Sequence, residues 1–128
     1  MLYEKRTICG NIWGNFQIKR IAIKEILPMV KHIIIWTLKD DISDEEKAQA
    51  KQNIKAGLEG LQGKIPGLIE IKVNIDGLSS SNTDLMLDST FEDAAALAGY
   101  AVHPAHVDVA TNIVRPYSKI RSCFDYEC

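Results

Sequence analysis

VKHIIIWTLK, Val30 to Lys39, is the stretch on which the fold turns. Its residues are β-branched or aromatic and place apolar side chains on both faces, the pattern of a strand covered from each side. Downstream, Ser43-Asp44-Glu45-Glu46 reads as a capping box, with Ser as N-cap and Glu three residues on. It opens a helix in which Ala50, Ile54, Leu58, Leu61 and Ile65 form one apolar stripe, stopped by Gly63 and Pro66-Gly67. Leu68 to Ile75 then alternates, with Ile69, Ile71, Val73 and Ile75 on one face and Glu70, Lys72 and Asn74 on the other. A turn-rich DGLSSSNT leads to a short strand from Asp84 to Ser89. Helical spacing returns at Thr90 with Phe91, Ala94, Ala95, Leu97 and Ala98, breaks near His103-Pro104 and resumes to about Arg115, before a closing strand from Tyr117 to Tyr126.

The order β-α-β-β-α-β predicts an α+β fold, a ferredoxin-like βαββαβ unit with helices on one face of an antiparallel sheet. Two helices cover only one face. Because the first strand is apolar on both, the open sheet face calls for a partner, and a second copy of the chain is the simplest one.

Composition bounds the function. A chain of 128 residues with 46% hydrophobic residues can bury one core and is too short for two ordinary domains. Charges of both signs are interspersed and sum to −2, so no broad basic surface exists for phosphates and nucleic acid is not expected as a partner. Cys9, Cys123 and Cys128 are odd in number and lack a C-x-x-C spacing, which points to neither a disulfide framework nor a zinc knuckle and favours a reducing, cytoplasmic location. No apolar run reaches the length of a membrane span, and the N-terminus lacks the pattern of a secretory signal, so no membrane partner is expected.

Residues 1–28 differ in charge balance from the rest of the chain, carrying five Lys and Arg against two acids. Lys24-Glu25 can be encoded as AAGGAG, and Ile26 to Pro28 place that hexamer where a ribosome-binding site would precede the Met29 codon. The expectation is an N-terminal extension over 1–28 that is a leader translated by mistake, and a single domain over 29–128.

YAVHPAHVDVA, Tyr100 to Ala110, is the stretch with chemical content. Pro104 suits the first position of a helix and disfavours helical geometry before it, making His103 a boundary residue and placing His106 in the first turn. Three readings stand. His103 caps, His106 packs and Tyr100 is a half-buried aromatic; or Tyr100 and His106 form a pair for proton transfer on a carbonyl or enolate; or His103, His106 and His32 bind a metal with one position open. No carboxylate at suitable spacing completes the metal set. Phosphate loops, nucleophile elbows and activated cysteines are not found.

MVKHIII, the helix ending in a proline before the second strand, STFED, GYAVHPAH and the closing FDYE together resemble the stress-responsive dimeric α/β-barrel (Dabb) domain, from Val30 to about Glu127. The resemblance implies that two ferredoxin-like units pack sheet against sheet into a dimeric α/β barrel with a cleft in each protomer. It also implies a catalytic set of His106 as general base or acid, Tyr100 positioning a carbonyl oxygen and the first-strand His32, with no cofactor and no metal. Where polyketide-cyclising members carry a further pocket histidine on the third strand, this chain has Leu85. The resulting expectation is a small cytoplasmic stress-responsive homodimer that binds a hydrophobic carbonyl compound near the Y-x-x-H-P-x-H motif, with cyclase-like or lyase-like acid–base chemistry. The alternative is a non-catalytic stress or assembly protein in which the histidines are structural.

Overall fold

The structure, a computed structural model, describes residues 28–128, so that all but the last residue of the expected leader lies outside the described residues. Strand β1 (Val30–Leu38) is followed by α1 (Asp44–Glu59), β2 (Leu68–Asn74), β3 (Leu85–Phe91), α2 (Ala94–Val102) and α3 (Pro104–Val109). A π-helical turn (Ala110–Val114) and a 3-10 turn (Arg115–Tyr117) then lead into β4 (Ser118–Glu127). The strands lie in the order β2-β3-β1-β4, every neighbouring pair antiparallel. This is the ferredoxin-like α+β arrangement the sequence pattern predicts.

Strand β1 occupies an inner position and its side chains alternate. Val30, His32, Ile34, Trp36 and Leu38 are buried beneath the helices, whereas Lys31, Ile33, Ile35 and Thr37 face the other way and stay half-buried. Register carries the alternation across the sheet: Ile33 pairs with Phe124, Ile35 with Met86 and Thr37 with Ile120. The helix-free face is thus apolar along β1 and β4, with Phe124 68% and Ile120 53% exposed. Toward β2 it turns polar, where Lys31 pairs with Asp88 (2.5 Å) and donates to Thr90 Oγ1 (2.8 Å).

Helix α1 obeys local rules. Ser43 Oγ accepts from the Glu46 N–H (3.1 Å) while Glu46 Oε1 accepts from the Ser43 N–H (3.2 Å), the reciprocal box expected from the sequence. Ala50, Ile54 and Leu58 are buried against the sheet. The helix ends at Glu59, short of the expected Ile65, and Leu61 and Ile65 reach the core from a run of turns instead. What replaces the missing turns of helix is a seam to the sheet edge. Glu59 accepts from the Val73 N–H (2.9 Å), and Gln62 both accepts from the Ile71 N–H (3.1 Å) and donates to the Ile69 carbonyl (2.9 Å). Those backbone groups of an edge strand would otherwise invite another chain. Gly67, at φ +80°, is required twice over, because a Cβ there would also lie 2.4 Å from that of Ala96.

Thr90 and Phe91 belong to β3 and not to the following helix, as their spacing suggested. Phe91 pairs with Val30 on one side and Leu68 on the other and is fully buried, so sheet pairing overrides a helical spacing. Helix α2 begins only where Asp93 can cap it, its carboxylate accepting from the Ala96 N–H (2.8 Å).

Candidate active site

Between the sheet and the broken second helical segment lies a cleft of about 390 Å³. Its walls include His32, Ile34 and Trp36 from β1, Leu87 from β3, Tyr100 from α2, His106 from α3, and Arg115 and Arg121 at the chain's turn into β4. The break at His103-Pro104 is what brings these groups together. His103 is the N-cap of α3, its Nδ1 accepting from the Ala105 N–H (3.1 Å), and Pro104 follows at the first helical position. The change of direction lays the His106 ring against Tyr100, with ring centres 4.1 Å apart and planes at 33°.

Tyr100 is 2% exposed, edge-on to His32 (5.9 Å) and tilted against Phe91 (4.9 Å). Its hydroxyl has no hydrogen-bond partner. Burial raises its pKa well above the ordinary phenol value, partly opposed by the Arg121 charge, so the hydroxyl is a proton donor throughout the physiological range.

His106 is held differently. Its Nδ1 lies 3.3 Å from the Ala101 carbonyl. A carbonyl only accepts, so this bond assigns the proton to Nδ1 and leaves Nε2 as the ring's acceptor. Burial lowers the pKa of His106; the Ala101 carbonyl opposes this, and the charges of His32, Arg121 and Arg115 add to the lowering. A neutral imidazole can accept a proton and a protonated phenol can donate one.

His32, 8% exposed, stands behind them on β1. Its Nδ1 donates to Asp125 Oδ1 at 2.5 Å, across the β1–β4 register that sets these two residues opposite one another. Cys123, next on the same face of β4, places Sγ 3.4 Å from the same carboxylate oxygen and 3.9 Å from His32 Nδ1. Burial and Asp125 raise the Cys123 pKa, which keeps it a thiol.

Of the sequence-predicted residues, His106, Tyr100 and His32 share one cleft. His103 serves as a helix cap, and the three histidines do not gather as a ligand set. Among the described residues the donors that do cluster are His32, Cys123 and Asp125, all within 4.8 Å of one another. Leu85, which stands where a further pocket histidine is found in polyketide-cyclising members, is a core residue here (3% exposed) opposite Trp36, and Leu87, one step further along the same face, lines the cleft. Asp125, Arg115 and Arg121 were not singled out in the sequence. Asp125 sits within the closing FDYE, but only the strand register shows that it meets His32.

The sequence profile of the stress responsive A/B barrel domain matches residues 30–128. The chain belongs to this family. A Dabb relative, a stress-response A/B barrel domain-containing protein of Arabidopsis thaliana, is 32% identical over 94 residues, covering 71% of this chain and 83% of that protein. A dimeric protein of ferredoxin-like fold from Bacteroides fragilis is 34% identical, covers 78% of this chain and 96% of its own, and superposes with a TM-score of 0.73. The hydroxynitrile lyase of Passiflora edulis, 19% identical over 79% of this Dabb chain and 94% of the lyase, shares the fold with a TM-score of 0.61. Among the described residues no helix is long and apolar enough to cross a membrane.

Proposed function

We propose that this Dabb protein is a cytoplasmic homodimer whose cleft binds a small hydrophobic carbonyl compound and performs acid–base chemistry on it. The observation that carries the reading is the Tyr100 hydroxyl, buried in the cleft wall without a partner and packed against a neutral histidine. An unsatisfied buried donor costs about 1–3 kcal/mol, and a ligand carbonyl oxygen would remove that cost. His106 Nε2 takes a proton from the atom next to the carbonyl, the freed electron pair moves toward the carbonyl oxygen, and the Tyr100 O–H donates to that oxygen as charge builds. His32, its ring fixed by Asp125, is the third group of the set.

Dimerisation through the helix-free face is supported by the exposed Phe124 and Ile120 and by the dimeric Bacteroides fragilis protein. That the fold accommodates chemistry on small molecules is supported by the Passiflora edulis lyase.

The test needs no known substrate. Exchange of protons next to the carbonyl into deuterated water is followed by NMR for a panel of small ketones and aldehydes. The expected result is exchange that falls by about a hundredfold or more in His106→Ala with the melting temperature nearly unchanged. If His106→Ala instead destabilises the fold by about 1 kcal/mol or more and no compound exchanges, the histidine is structural and the protein serves stress or assembly without catalysis.

A further inference from the structure

The ionisable groups that line the cleft are His32, Tyr100, His106, Arg115 and Arg121, and no Asp or Glu is among them. Both arginines are exposed while Tyr100 is buried, which puts the guanidinium groups at the mouth and the phenol at the back. Neither arginine makes an ion pair with a carboxylate among the described residues, although Lys31, His32, Lys55 and Lys119 all do. The nearby carboxylate on the same face of β4, that of Asp125, is taken up by His32. Two cations without a carboxylate partner therefore share a concave site with a buried hydroxyl that has no hydrogen-bond partner.

The local fold places them there for a reason. The π-helical turn over Ala110–Val114 and the 3-10 turn at Arg115–Tyr117 carry Arg115 to the cleft's edge, and Arg121 is opposite Trp36 on the helix-covered face of β4. Both positive charges act on His106, and that of Arg121 also reaches Tyr100, which places the guanidinium groups near these two residues. An arginine is suited to a carboxylate because its planar fork of donors matches the two oxygens.

We propose that the cleft selects carbonyl compounds that also carry a carboxylate, bound by Arg115 and Arg121 at the mouth with the carbonyl directed to Tyr100 and His106. This rests on the reading of Tyr100 and His106 as the carbonyl site and adds the substrate class. The anionic group does two things. It fixes which end of the ligand enters, and it draws charged ligands in from solution at low salt.

Calorimetric titration with 4-formylbenzoate, benzaldehyde and benzoate tests it, since the three share a ring and differ in which groups they carry. The expected result is that 4-formylbenzoate binds at least tenfold more tightly than benzaldehyde at low salt. Arg115→Gln and Arg121→Gln each weaken 4-formylbenzoate by roughly tenfold, the scale of a charge-assisted hydrogen bond. Benzaldehyde is unaffected by either. The lysine exchanges at both positions keep the charge and lose the fork, and fall between. Matching melting temperatures show that the variants are folded. Equal binding of 4-formylbenzoate and benzaldehyde, or a preference that persists in the double glutamine variant, overturns the carboxylate assignment; a loss of benzaldehyde binding in Tyr100→Phe would then leave the carbonyl site standing. Conversely, benzoate binding as tightly as 4-formylbenzoate, with Tyr100→Phe silent, keeps the arginine site and removes the carbonyl one. Binding of none of the three at millimolar concentration overturns both.

Discussion

The two helical crossings of this fold are built in opposite ways. Helix α1 is a single uninterrupted element with a complete capping box and a stripe of Ala50, Ile54 and Leu58 pressed onto the sheet. The second crossing is in pieces: α2, a cap residue, α3, a π-helical turn and a 3-10 turn. Local rules start the first, which contributes stability, covers part of the edge of β2 through Glu59 and lends only Leu58 to the cleft wall. The second gives up helical continuity, and its breaks are where His106, Arg115 and the buried Tyr100 converge. Interruptions of this kind are common at functional positions because they re-aim side chains that a regular helix would distribute around its axis.

That comparison can be broken by experiment. The largest effect is expected for Ile54→Ala in α1, where the side chain is fully buried and outside the cleft. It should destabilise the protein by about 2–5 kcal/mol in denaturant titrations while ligand binding by the folded fraction is unchanged. A loss of affinity as well would mean that the two crossings are not separable. Tyr100→Phe tests the other half, and the sign should reverse. Removing a buried hydroxyl that has no partner should stabilise the free protein by about 1 kcal/mol, measured by the same titrations, while abolishing proton exchange on carbonyl compounds. A destabilised Tyr100→Phe would place the hydroxyl among the groups that hold the fold together. Ser43→Ala, which removes the α1 cap, should cost roughly 1 kcal/mol and leave the cleft unaltered.

The smallest expected effect is the pH dependence of His106. Its pKa is lowered in the folded chain, so the unfolded chain binds the proton more readily. The associated stability is present in full above the unfolded histidine value of about 6.5, and it is lost as pH falls from there through the depressed folded value. Melts recorded from neutrality down to about pH 5 should show this decline, and His106→Asn should flatten it. An unchanged slope would assign the decline to other groups.

Much of the frame is legible along the chain. The apolar run Val30–Leu38 predicts an inner strand, which β1 is, although only its helix-covered face is fully buried; the capping box starts α1 at its observed residue, and Pro104 predicts the break with His103 at its boundary. Each is a local signal, a spacing or a fixed φ that needs no distant partner. Where local spacing misleads, a distant partner decides. Phe91 follows its pairing with Val30 and Leu68 into β3, and α1 stops at Glu59 while Glu59 and Gln62 bond the edge of β2.

The site divides along the same line. The sequence by itself determined which chemical groups are present and that Tyr100 and His106 flank a helix break, because three-residue spacings and proline geometry are properties of the chain. Only the tertiary structure decided that His32 stands opposite Asp125, that Tyr100 is buried without a partner, and that Arg115 and Arg121 face the same cleft. Strand register and the direction of the chain after a π-helical turn set those meetings, and both are fixed by packing between residues far apart in sequence.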